Sequence, residues 1–300
     1  MIAVANAPCS WGVLEFESKS GSPAYGQVLD EMTASGYAGT ELGDWGFMPT
    51  DAAALDDELS RRGLAMLGAF VTTRLADPLS HDASLQSAVR TAELLSAVSA
   101  GGHPVIVLSD EPTADPVRAR AAGRVGPAMG LSERQWEEAA GAVERIARAV
   151  RDGTGLRTVF HHHCAGHVET PEEIDTLMAR TDPALVGLCL DSGHATYGGG
   201  SPVDLLARHR ARVWHVHFKD CDPAVAARAR QEKWDYHTAL SHGLFCELGR
   251  GSVDFRGLLD ALQAAGYDGW IVVEQDVLPA MGSPLASATR NRRYLQSIGL

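Results

Sequence analysis

The chain has 300 residues, with 26 Lys and Arg against 38 Asp and Glu and a net charge of −12. An acidic balance of that size repels a phosphate backbone, so nucleic acid is not the expected partner. No apolar run reaches the ~18 residues a membrane span needs, and the start, MIAVANAPCSWG, has no basic segment followed by a long apolar one, which predicts a cytoplasmic protein without membrane contact.

Apolar runs and helical periodicity alternate along the chain. A strand over 2–7 leads through PCSWG to a helix over 24–35 stopped by Gly36. Strand 39–43 carries Glu41, and Asp51 caps a helix over 51–62 with Gly63 past its end. Strand 64–71 precedes a helix over 81–100 closed by Gly101 and Gly102, and strand 104–108 runs into SDEP. The segment 111–131, rich in Pro, Gly and Arg, reads as a long loop over the active face, either a lid or clamp or a plain insertion. Ser132 with Gln135 makes a capping box for a helix to about residue 152. Strand 156–163 follows, then a helix over 171–179 with Thr170 as N-cap and Pro171 at its first position. Strand 185–190, helix 202–209 and strand 213–218 form one βαβ unit. A second insertion, 221–250, leads to helix 256–265, strand 270–274 and a closing helix over 287–296. The repeat of about 35 residues, and the lack of a Gly-rich phosphate fingerprint after the first strand, predict a single (β/α)8 TIM barrel over 1–300. The five cysteines are odd in number, widely spaced and without a CxxC pair, so reduced thiols are expected.

The carboxyl ends of the predicted strands carry Glu41, Asp110, His161 with His163, Asp191 with His194, His217 with Lys219, and Glu274. One such residue alone caps the next helix or packs at a rim. Ionisable groups gathered at one barrel mouth must instead pair or bind a metal. Alternation puts His215, His217 and Lys219 on one strand face and Trp214, Val216 and Phe218 on the other; it likewise groups His161 with His163 and turns His162 outward. Two carboxylates with one or two imidazoles suit Mn²⁺, Co²⁺, Fe²⁺ or Zn²⁺ and are too rich in nitrogen for Ca²⁺ or Mg²⁺. Asp191, His217 and Glu274 come from adjacent strands, and the fifth strand should supply the fourth ligand, His161 or His163.

The motifs HHHCAGHVET, GLCLDSGH, RVWHVHFKD, LGRGSVDF and YDGWIVVEQD, with CSWGV, GYAGTELG and FVTT nearer the start, resemble the xylose-isomerase-like barrel superfamily and, within it, the inosose dehydratase (2-keto-myo-inositol dehydratase) family. The resemblance implies a divalent metal, Mn²⁺ or Co²⁺ first, held by residues of strands five to eight. Asp191, His217 and Glu274 match three of those positions, and His194 matches a substrate-contacting His. Where many relatives have Glu on the fifth strand this chain has His161. His163, His215 and Trp11 are the expected substrate contacts. The implied reaction is loss of water from a cyclic keto-polyol or keto-sugar through a metal-stabilised enediolate, with His194, Lys219 and Glu41 as candidates for proton transfer in no set order. The alternative is a sugar isomerase or 3-epimerase using the same enediolate. A metal-dependent nuclease on this fold is disfavoured by the charge, and a non-enzymatic sugar-binding barrel by the dense ionisable mouth. A small polyol or sugar is the expected partner, and a homo-oligomer is compatible with the resemblance.

Overall fold

Each apolar run forms a parallel strand, and in a computed structural model that describes residues 2–14, 23–98, 102–278 and 281–300 the eight strands close on themselves. They are β1 (Ala3–Asn6), β2 (Gly39–Glu41), β3 (Ala65–Thr73), β4 (Val105–Asp110), β5 (Arg157–His161), β6 (Val186–Asp191), β7 (Val213–Phe218) and β8 (Trp270–Val273). β1 pairs with both β2 and β8, so the sheet has no edge and the architecture is a (β/α)8 barrel.

Around it run α1 (Tyr25–Ala34), α2 (Ala52–Ser60), α3 (His81–Val98), α4 (Pro116–Ala121), α5 (Glu133–Thr154), α6 (Pro171–Arg180), α7 (Ser192–Tyr197), α8 (Pro202–His209), α9 (Pro223–Glu232), α10 (Tyr236–Ser241), α11 (Phe255–Ala264) and α12 (Pro284–Ser297). Their apolar stripes face the strands. In α5, Trp136, Ala139, Val143, Ile146 and Val150 recur at three- and four-residue spacing and are buried. Truncating one such residue, Ile146→Ala, is worth about 2–5 kcal/mol. Both expected caps are present: Ser132 and Gln135 form the capping box of α5, and Thr170 forms one with Glu173 ahead of Pro171 in α6.

Inside the barrel, Ala5, Ala7, Leu67 and Val272 form one apolar group and Val105, Val107, Val159 and Cys189 another. Trp270 and Trp214, near the amino ends of β8 and β7, pack on these two groups. Trp214 departs from the simple alternation. Val213 faces Leu188 while His215 faces Cys189, which leaves Trp214 as the extra residue of a β-bulge. The indole turns onto the interior group, and Gly187 is required there because a Cβ would run into the ring.

Three expectations are corrected. The segment 111–131 is not a free loop: Asp115 caps α4, and the fully buried Arg118 donates to both Glu173 oxygens, at 2.7 and 2.8 Å, and to the Gly166 carbonyl at 2.7 Å. The segment 221–250 holds α9 and α10 and a short antiparallel pairing of Asp220–Cys221 with Phe245–Cys246. β5 ends at His161, because the His163 N–H turns to the Val168 carbonyl at 3.0 Å and starts a tight loop. His162, expected to turn away from His161 and His163, is buried and outside the site group, its Nε2 accepting from the Asp191 N–H at 3.2 Å. Residues 99 and 100 of the expected 81–100 helix, and Gly101, lie outside the described residues. All five cysteines are free thiols, and no described helix is long and apolar enough to cross a membrane.

Candidate metal centre and active site

Strand ends bring four buried side chains to one point. The β6–β7 ladder sets Asp191 opposite His217, β5 delivers His161 as its last residue, and Glu274 follows β8 with its N–H bonded to the Phe218 carbonyl at 3.0 Å. One donor atom from each of His161, Asp191, His217 and Glu274 lies within 4.8 Å of the others. His161 Nε2 is 3.6 Å from Asp191 Oδ2, and His217 Nδ1 is 3.8 Å from the same oxygen and 3.3 Å from Glu274 Oε1.

Four atoms of these residues, both ring nitrogens of His161, Asp191 Oδ2 and His217 Nδ1, are buried without a hydrogen-bond partner among the described residues. Each such group costs about 1–3 kcal/mol if left so. Their opposite sides are committed. Asp191 Oδ1 accepts from the His194 N–H at 2.7 Å as the N-cap of α7, and the far nitrogen of His217 faces Glu41. Burial opposes charge on His217, but Cys189 and the carboxylates Glu274 and Glu41 push its pKa well above the ordinary imidazole value. A space lined this way attracts a cation, and two imidazoles with two carboxylates fit a divalent transition metal. Of the two strand-five histidines, His161 joins this group; His163 Nδ1 donates to the Cys164 carbonyl at 2.6 Å and its ring lies 3.9 Å from that of His194.

Beside the four stands a cation of the protein's own. Lys219 is buried, with Nζ 2.8 Å from Asp276 Oδ1, 3.1 Å from Glu274 Oε2 and 3.2 Å from His194 Nε2. Burial opposes its charge, but Asp276 and Glu274 hold the ammonium well above its usual pKa. Gly193 opens the path of this side chain, since a Cβ there would meet Lys219 Cγ at 2.6 Å. His194 accepts the Cys164 N–H at Nδ1, 3.2 Å away. Burial first, then His163 and Lys219, hold this imidazole well below its ordinary pKa, so it is neutral. The Lys219 ammonium, a donor only, faces Nε2 of the same ring at 3.2 Å.

A family model for the xylose isomerase-like TIM barrel matches residues 29–298. The chain belongs to the xylose isomerase-like TIM barrel family. An inosose dehydratase of Lacticaseibacillus casei is 30% identical over 99% of this chain and 97% of its own length, and one of Geobacillus thermodenitrificans is 32% identical over 97% and 95%. Among solved structures, a probable 3-DHS dehydratase from Bacillus anthracis superposes with a TM-score of 0.70 at 15% identity, covering 99% of both chains. A 3-keto-D-glucoside 4-epimerase from E. coli does so with 0.70 at 16% identity, over 99% of this chain and 100% of its own. These two likenesses are of fold. The chain is an enzyme of this xylose isomerase-like family, of dehydratase or of isomerase and epimerase type.

In this family barrel the mouth cavity is walled by Cys9, Glu41, Phe70, His161, His163, Lys219, Glu274 and Asp276 among others. Two expected substrate contacts are not brought there. Trp11 packs in the main core with its indole N–H donated to Glu31 at 2.7 Å, because the turn Pro8–Trp11 points it at α1. His215, two residues before His217 on β7, lies one layer deeper and lines a basin at the amino end. Glu41 reaches the cavity but is not a free carboxylate: its Oε1 accepts from His215 Nε2 at 2.7 Å and His217 Nε2 at 3.0 Å. Asp110 stays outside the group. Asp276, which sequence reasoning missed, is two residues past Glu274, the same spacing that separates His217 from Lys219, and that offset was the available signal.

Proposed function

We propose that the chain is a divalent-metal-dependent lyase that removes water from a cyclic keto-polyol or keto-sugar such as 2-keto-myo-inositol, with Mn²⁺ or Co²⁺ as the first candidates. The observation that carries this reading is the convergence of His161, Asp191, His217 and Glu274, with orphaned buried donor atoms, beside the Lys219 ammonium. The full-length similarity to inosose dehydratases supports the substrate class. A divalent cation held by those four residues supplies Lewis-acid polarisation of a substrate carbonyl.

The remaining work falls to side chains of the wall. Lys219, fixed by Asp276 and Glu274, presents N–H groups to a departing hydroxyl and can deliver a proton to it. His194 presents Nε2 from the adjoining wall, beside that ammonium, and orients a substrate hydroxyl. Val13, Leu14 and Phe70 give the cavity an apolar side that excludes water from the reacting carbons. The test is incubation of the protein with Mn²⁺ or Co²⁺ and a panel of keto-inositols and 3-keto-sugars, read by mass spectrometry. A product lighter by one water is expected; an isobaric product from a sugar substrate would reject the lyase in favour of an isomerase or epimerase.

A further inference from the structure

We propose that Glu41 is the positioning residue that makes His217 a metal ligand, by holding the Nε2–H of that imidazole so that the bare Nδ1 faces His161, Asp191 and Glu274. This rests on the metal reading given above. It replaces the role in proton transfer expected for Glu41 from its place at a strand end.

An ionised carboxylate only accepts, so both imidazole nitrogens facing Glu41 Oε1, His215 Nε2 at 2.7 Å and His217 Nε2 at 3.0 Å, carry hydrogen. A neutral His217 with its hydrogen on Nε2 has a lone pair on Nδ1. That nitrogen is buried without a hydrogen-bond partner and stands 3.3 Å from Glu274 Oε1 and 3.8 Å from Asp191 Oδ2. A lone pair beside two carboxylate oxygens is repelled unless a cation, a proton or a metal ion, lies between them. A ligating imidazole whose other N–H is held by a carboxylate is the usual way a metal site fixes ring orientation.

The backbone shows how the sequence delivers that carboxylate. β2 does not adjoin β7 in the barrel, so Glu41 reaches across the interior. The β2–β3 register shifts between Thr40 and Glu41, and a shift of this kind re-aims a side chain. His215 meets the same oxygen from one layer below and restrains the carboxylate from a second side. Glu41, His215 and His217 could themselves be read as a cation-binding trio, since their donor atoms also lie within 4.8 Å of one another. One oxygen at hydrogen-bond distance from both rings, at 2.7 and 3.0 Å, favours hydrogen bonds there instead.

The experiment uses the full chain with Co²⁺ as probe. Affinity is measured by competition with a chromophoric chelator, the ligand field by visible absorption, and the metal-free fold by thermal unfolding in EDTA. Glu41→Gln is expected to weaken Co²⁺ binding about 10- to 100-fold and to shift the absorption bands while the midpoint in EDTA stays near that of the unaltered protein. His215→Phe, which leaves Glu41 held from one side, is expected to weaken it by less than about tenfold. Imidazole ¹⁵N shifts of the metal-free unaltered chain should report hydrogen on Nε2 of His217, a readout that needs no variant to fold. Equal Co²⁺ affinity and bands in Glu41→Gln, or an Nδ1–H tautomer of His217, would overturn the role of Glu41 alone. An unaltered chain that binds no Co²⁺ would overturn the metal reading with it. Two bound ions, one lost in both variants, would replace the hydrogen-bonded pair by a second metal site.

Discussion

Two clusters at the carboxyl end of this barrel are built from the same residue types and do opposite things. Asp110, at the end of β4, uses both oxygens: Oδ1 accepts from the Leu75 N–H at 2.9 Å, and Oδ2 from the His167 N–H at 2.7 Å and His167 Nδ1 at 2.9 Å. It ties three loops together and asks nothing of a ligand. Asp191, at the end of β6, uses one oxygen as a helix cap and leaves the other buried beside two imidazoles with no partner. A strand-end carboxylate beside a histidine is therefore not a site in itself. What distinguishes a site is polar capacity that the protein has desolvated and left unspent. Satisfied clusters should fail in stability when altered, and unspent ones in function.

The largest expected effect on the satisfied side is at Arg118. Arg118→Met leaves Glu173 buried without its bidentate partner, and chemical denaturation should show a loss of about 3–5 kcal/mol with metal affinity unchanged. Glu169 comes next. It accepts from the Ala165 and Gly123 N–H groups, at 2.8 and 2.7 Å, and burial raises its carboxyl from 4.5 to about 7, those two bonds opposing. A carboxyl whose folded pKa is raised is favoured when protonated, so its contribution is full below pH 4.5 and is lost as pH rises to about 7. The loss amounts to at most about 3 kcal/mol. Glu169→Gln should flatten stability across that window, and a slope equal to that of the unaltered chain would count against the argument.

At the site, Lys219→Met should lower kcat by about 10²-fold, some 2.7 kcal/mol, and should also cost stability in EDTA, because Asp276 and Glu274 are left buried without their cation. A pure stability defect there would blur the contrast. The smallest effect belongs to Trp11→Phe, which removes one hydrogen bond to Glu31, worth about 1 kcal/mol, and should leave KM alone. A raised KM would restore Trp11 as a substrate contact.

Much of this was legible in the chain itself. Strand-ending Asp191, His217 and Glu274 stand out because a reactive group after an apolar run has one place to go in a barrel, and Ser132 and Thr170 cap the helices they were expected to cap. Alternation failed where the ladder is irregular. The bulge at Trp214 turns an expected outward ring onto the interior, and β5 ends at His161, two residues before the expected end at His163. Neither irregularity has a local sequence mark. The roles of Glu41 and Asp276 depend on which groups meet across the barrel, and pairings between non-adjacent strands are set by closure rather than by spacing along the chain. The segment 111–131 looked loose from its Pro and Gly content, but the residue that fastens it, Arg118, finds its partner 55 positions away on α6.

The most direct measurement compares the two aspartates. Asp191→Asn and Asp110→Asn keep their shapes and each removes one charge. Titration of each protein with Co²⁺, alongside unfolding in EDTA, separates the two kinds of cluster. Asp191→Asn should lose Co²⁺ affinity by more than about 100-fold and be as stable in EDTA as the unaltered chain or more so, because an unpaired buried charge is gone. Asp110→Asn should bind Co²⁺ normally and lose about 1.5–3 kcal/mol of stability. Normal Co²⁺ binding by a folded Asp191→Asn would contradict the assignment of the metal centre.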